Sequence, residues 1–242
     1  MHNVFLFPSM DDQKSSSLYI VLETPDSGGF EYLENALKDS AEKTFFYLPK
    51  SKSAQNGFQK SDNILLWDDT EAPCFSVNES TPIESASESF LHFSPLLDLS
   101  DQFELLINEL EHQTLCEVVR VVSFINANQL LKDSSNLQSW LDAVAHFSDA
   151  LCITNRSNEN GKAVGSLLKR YEDMRYPMES YMISNSKRAK IDNILNPTVR
   201  RISHIFDSPE QLEDQEGPLQ DPYLVNLANG KREKVIQTPF AR

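Results

Sequence analysis

Glycine is scarce in this sequence of 242 residues, and all seven can be named: Gly28, Gly29, Gly57, Gly161, Gly165, Gly217 and Gly230. A loop whose backbone cradles phosphate needs glycines in close succession, and only the neighbourhoods of Gly28 and Gly161 supply them. Cysteine is scarcer. Cys74, Cys116 and Cys152 are odd in number and far apart, so no disulfide framework is indicated and a reducing cytoplasm is the expected setting. Positive charge is in deficit, with 22 basic against 36 acidic residues and a net charge of -14. Such a surface repels phosphate backbones and anionic lipid, which excludes nucleic acid and membrane as expected partners. It attracts cations and basic partners, although solubility is the plainest reading. No apolar run approaches the roughly 18 residues of a membrane helix. The opening "MHNVFLFPSM" has no basic leader and no small-residue cleavage site, so it does not read as a signal peptide.

Against these absences stands a regular alternation of strand-like and helix-like segments. Apolar runs at Leu18–Leu22, "TFFYL" (44–48), "NILLW" (63–67), "FLHF" (90–93), "EVVRVVSFI" (117–125), "ALCIT" (150–154) and "SYMIS" (180–184) predict strands. The fifth is β-branched and nearly continuous, as a strand buried on both faces should be. Helical spacing appears at Phe103, Leu106, Ile107 and Leu110 behind Ser100 as N-cap, at Leu137 to Phe147, and at Val164 to Tyr171. A last helical stretch around Ile191 and Ile194 breaks at Pro197 and is expected to resume through Val199, Ile202 and Ile205. The order predicts an α/β fold, a mostly parallel sheet flanked by helices on both faces. The composition turns acidic and proline-broken from Asp207. This divides the chain into a domain over 1–206 and, over 207–242, a linker followed by a tail or an Asn229-Gly230 hairpin.

The first strand runs into "LETPDSGGFEYLENAL" (22–37), a turn with paired glycines followed by a helix carrying Tyr32, Leu33, Ala36 and Leu37. "LHFSPLLDL" (91–99) and "VVRVVSFINANQLL" (118–131) come later, and then "WLDAVAHFSDALCITNR" (140–156). In this order the segments resemble the CobW-like P-loop GTPases (the CobW/HypB/UreG nucleotide-binding domain) over roughly residues 17 to 205. The resemblance implies a P-loop NTPase-like three-layer sandwich. It also implies a phosphate loop of the form GFLG-x-GKTTLL. Glu23 and Asp26 take the places of its earlier glycines, Gly28 of its last glycine, Gly29 of its lysine and Phe30 of its magnesium-binding Ser/Thr. It places His92 at an acidic strand-end position, with Ser94 and Asp98 matching. It sets Asn155, Arg156, Ser157 and Asn158 on the base-reading N-K-x-D motif.

These substitutions remove the chemistry. Phosphoryl transfer needs a cation and a magnesium ion beside the β- and γ-phosphates. Gly29 brings no charge, and the next lysine along the helix, Lys38, is about two turns away. Phe30 ligates no metal. A carboxylate about 4 Å from a phosphate costs on the order of 4 kcal/mol at an effective dielectric of about 20. The helix dipole returns about 1 kcal/mol, so repulsion wins. Asn158 offers a donor where the base edge also donates, a mismatch of roughly 1–3 kcal/mol.

The remaining motifs read plainly. "NGKAVGS" (160–166) is a helix start, and the family's C-x-C-C metal cluster is absent. His112 and Cys116 lack a third ligand nearby. His92 without an identified partner reads as a core or rim histidine. Lys187, Arg188, Lys190, Arg200 and Arg201 form a basic helix face. The expectation is a non-catalytic, pseudo-GTPase CobW-like domain that serves as an interaction or regulatory module for an unknown protein partner. It has no catalytic residues, no metal site and no cofactor. The alternative is a GTP-dependent CobW-like metal-insertion chaperone with a divergent site, which would use GTP and magnesium. A third reading is an unrelated α/β domain with a ligand pocket near Pro25 to Gly29, Ser94 and Asn155.

Overall fold

The computed structural model describes residues 16–40, 43–53, 58–76, 88–111, 116–132, 134–183, 191–207 and 221–241. His112, Lys187, Arg188, Lys190 and most of the acidic linker fall outside them. Seven strands form one sheet: β1 (Ser16–Glu23), β2 (Thr44–Pro49), β3 (Ile64–Trp67), β4 (Glu88–His92), β5 (Cys116–Asn126), β6 (Ala150–Thr154) and β7 (Glu179–Met182). Their order is β3-β2-β4-β1-β5-β6-β7, and every pairing is parallel. Parallel strands require crossovers, which helices provide.

Among the described residues the helices are α1 (Gly29–Leu37), α2 (Lys50–Ser53), α3 (Leu99–Glu111), α4 (Ser135–Phe147), α5 (Gly161–Asp173) and α6 (Ile191–Ile194), with a 3-10 turn at Ala127–Leu131. Strand residues alternate between two cores. Leu18, Ile20 and Leu22 of β1 join Phe103, Trp140, Val144 and Leu167 of α3, α4 and α5 on one face. Tyr19 and Val21 join Phe30 and Leu33 of α1 and Ile194 of α6 on the other. The sheet is therefore covered on both faces, as expected from the three-layer α/β architecture. An irregularity between Leu18 and Tyr19 puts Val119 as an extra residue in β5, so Val118 and Val121 share one face.

Two local expectations are corrected. Helix α3 is capped by Asp98, whose Oδ1 accepts from the Ser100 amide at 2.7 Å, and not by Ser100, which lies inside the helix. The helix broken at Pro197 does not resume: residues 198–207 form no helix, and only a single turn closes at His204–Asp207. Their backbone groups find other partners. The carbonyls of Asn196 and Thr198 accept from the buried Arg120 guanidinium. The amide of Arg200 donates to Asp149, and those of Ile202 and Ser203 donate to the His146 carbonyl.

Residues 221–241 lie across α3 and α4. Tyr223 and Ile236 are buried, the Phe240 ring stands edge-on to Trp140 at 5.3 Å, and Arg232 pairs with Glu104 and Asp101. Gly230, at φ 76°, makes a tight turn in this segment, and Asn226 and Arg232 bridge antiparallel across it. No helix among the described residues is long and apolar enough to cross a membrane.

Candidate functional site

From β1 the chain moves to β2 on one side and, after β4, crosses to β5 on the other, so the strand order reverses at β1. The carboxyl end of β1 is therefore where such sheets form a crevice. There, residues 24–28 join β1 to α1. The Thr24 amide donates to the Phe124 carbonyl at 3.0 Å, and Thr24 Oγ1 accepts from the Asn126 amide at 2.8 Å. Asp26 is left-handed, at φ 56°, and its carbonyl accepts from the side-chain amides of Asn126 (3.0 Å) and Asn155 (3.1 Å). Gly28 is also left-handed, at φ 72°, a conformation glycine takes freely.

Gly29 starts α1 with its α-carbon against β5. A Cβ there would lie 2.6 Å from Phe124 Cγ, so the position that the resemblance gives to a lysine faces the core. Phe30 follows it inward, 3% exposed and edge-on to Phe46 at 5.3 Å. Neither residue reaches the crevice.

The crevice instead centres on Glu23, and the Glu23 cluster revises the expectation for His92. His92 is fully buried and has a partner, its Nδ1 lying 2.7 Å from Glu23 Oε1. Lys52 Nζ, from the short helix after β2, also binds Glu23 Oε1, and Ser27 Oγ donates to Oε2 at 2.6 Å. Burial alone would raise the Glu23 carboxyl. The Lys52 charge and the hydrogen bond with His92 outweigh it and hold the group well below the usual carboxylate range. Burial lowers the His92 imidazole by more than Glu23 restores, so the ring is neutral and donates from Nδ1. Its Nε2 is then a buried acceptor with no partner among the described residues, and its ring stands edge-on to Phe30 at 5.9 Å. A carboxylate so acidic is a poor general base near neutrality, and a cation already bound to a carboxylate is poorly placed to hold phosphate.

A second carboxylate steadies the neighbouring loops. Asp69 is buried after β3 and accepts from the Ser51 amide at 3.0 Å and from Ser94 Oγ at 2.7 Å. The Ser94 amide donates to Gln102 Oε1 at 2.7 Å. Ser94 thus ties β4 to β3 and α3, and Asp98 serves as a helix cap. At the end of β6, Asn155 is left-handed at φ 53° and pins Asp26 through its amide, while Arg156 and Asn158 are exposed. The buried Asn160 organises this turn by donating to the Asn155 carbonyl and accepting from the Ser157 amide.

Between these loops lies a cleft of about 250 Å³, lined by Glu23 to Gly28, Pro49, Ser51, Lys52, Phe93, Pro95 and Leu96. Of the sequence candidates, the structure brings together Glu23, Asp26, Gly28 and His92, with Ser94 behind them. It turns Gly29 and Phe30 away. Ser27, inside the loop, was passed over, and Lys52 and Asp69 were missed because no spacing rule connects them to the loop. Of the expected basic face, only Arg200 and Arg201 lie among the described residues: Arg201 is buried against Asp149, and Arg200 pairs with Glu179. No group of three or more metal-ligating side chains occurs among the described residues.

No family model and no curated protein matches the chain. Among solved structures, it is similar to a Zn(II)-bound triple mutant of the YjiA GTPase, at 10% identity over 80% of this chain and 65% of that one, with a TM-score of 0.48. It is similar to the Zn(II)-bound YjiA GTPase from E. coli at 10% identity over 77% of this chain and 66% of that one, TM-score 0.41. It is also similar to the hydrogenase maturation factor HypB from Archaeoglobus fulgidus at 9% identity over 72% of this chain and 83% of that one, TM-score 0.40. The chain thus spans just under two thirds of the two YjiA chains. At these values nothing of those proteins' chemistry transfers to it. Its own strand order and helix layers describe an all-parallel α/β domain of three layers, a sheet with helices on both faces.

Proposed function

We propose that the chain is a non-catalytic CobW-like domain, a pseudo-GTPase whose nucleotide binding is weak or lost and which serves as an interaction or regulatory module. One observation carries this reading: at the end of β1 a buried carboxylate, Glu23, holds the cleft's cation, Lys52. The chain's own anion meets the charge that a phosphate would need. The inward-facing Gly29 and Phe30 support the same reading, because they leave the start of α1 without a cation or a metal-binding hydroxyl.

Thermal unfolding with millimolar GTP, GDP or ATP plus magnesium tests it. A ligand at about 100 times its dissociation constant adds roughly 2.7 kcal/mol, a shift of a few degrees for a domain of this size. The proposal expects no shift with any nucleotide. A magnesium-dependent shift with GTP would sink it in favour of a GTP-dependent metal-insertion chaperone. A reducing cytoplasm and a protein partner belong to the same proposal.

A further inference from the structure

One carboxylate in the cleft is uncommitted. Asp26 is exposed at the cleft wall, and its side chain makes no hydrogen bond or ion pair among the described residues. Its backbone is held in the left-handed region by the two asparagine amides on its carbonyl. Lys52, the cation in the cleft lining, is already paired with Glu23, so it does not compensate Asp26. The same lining includes the apolar residues Phe93, Pro95 and Leu96.

We propose that this cleft receives an arginine or lysine side chain carried on an apolar segment of a partner protein. The methylene stem lies along Phe93, Pro95 and Leu96, as long cationic side chains pack against apolar surface, and the charged head meets Asp26. Charge complementarity selects this occupant: the cleft holds one unpaired carboxylate in a chain of net charge -14, which attracts cationic partners and repels anionic ones. The inference rests on the reading that no nucleotide occupies the site.

The test uses the full, isotope-labelled chain and amide NMR with three probes: acetyl-Leu-Arg-Leu-amide, acetyl-Leu-Glu-Leu-amide, and GTP with magnesium. The arginine peptide is expected to move the amides of Asp26, Gly28 and Leu96. Its affinity should fall about fivefold in Asp26→Asn, the scale of an exposed ion pair, and fall further with added salt. Asparagine tolerates the left-handed backbone, so this variant keeps the loop and removes only the charge. Silence with the arginine peptide, an equal response to the glutamate peptide, or equal affinity in Asp26→Asn would each overturn the inference. Movement of these amides by GTP would overturn the nucleotide-free reading itself. Silence of both GTP and the arginine peptide would overturn this inference alone.

Discussion

Replacing Lys52 by methionine removes the cation from the Glu23 cluster while keeping most of the side-chain volume. Both partners are nearly buried, at 9% and 6% side-chain exposure, so solvent screens the pair little. Removing one member of a buried ion pair strands the other charge and typically costs about 3–5 kcal/mol. That is a large part of a domain's roughly 5–15 kcal/mol. His92 and Glu23 are the groups that can respond. Without Lys52 repelling a proton there, the folded-state pKa of each rises relative to the parent protein's. Proton uptake by the raised groups offsets part of the loss at low pH, and the offset disappears as pH rises. Lys52→Met should therefore be more destabilised at pH 8 than at pH 5, relative to the parent protein. Lys52→Met with Glu23→Gln removes both charges and should recover most of the loss. Urea unfolding at the two pH values measures all three proteins. A single variant within about 0.5 kcal/mol of the parent at pH 8, or a double variant less stable than Lys52→Met, would refute the argument.

Three further outcomes follow from the same geometry. The unaltered protein should lose stability in two stages on acidification. His92, lowered from 6.5 by burial, makes the unfolded chain bind more protons below about pH 6.5, and Glu23, lowered from 4.5 by Lys52 and His92 against its burial, adds a steeper loss below about 4.5. Stability that is flat between pH 4.5 and 7 would contradict the His92 assignment, and stability that stays flat below pH 4.5 would contradict that of Glu23. Gly29→Ala drives a methyl group into Phe124, within 2.6–2.9 Å of three ring and Cβ atoms, and should cost about 1–3 kcal/mol by thermal unfolding. Gly29→Lys should likewise destabilise the fold without creating affinity for GTP. In the native protein a thiol reagent should modify the exposed Cys74 first, because burial pushes Cys116 up to about 12 and holds Cys152 still higher. Modification of Cys152 before unfolding would place β6 wrongly.

The sheet was legible because its strands are buried on both faces and read as apolar runs. "EVVRVVSFI" and "ALCIT" became β5 and β6 with nearly the expected bounds. The site was less legible, because its contacts are long-range. Glu23 meets Lys52 across 29 residues and His92 across 69, and no local pattern encodes either pairing. The alternating lysines of "KSKS" after β2 were the available signal, since a strand end beside β4 aims its next residues at the crevice. The helix expected beyond Pro197 failed for a related reason. The apolar spacing of Val199, Ile202 and Ile205 is helical, but Arg120, Asp149 and His146 supply hydrogen bonds to an extended backbone. Tertiary partners overrode local periodicity.

The central claim is that Glu23 and Lys52 satisfy each other where a nucleotide's phosphates would need a cation. Isothermal titration of the full chain with GTP and magnesium at pH 7.5 tests it most directly. The account predicts no saturable heat at any magnesium concentration. A saturable, magnesium-dependent heat that disappears in Lys52→Met would contradict it, because Lys52 would then be serving phosphate and not Glu23.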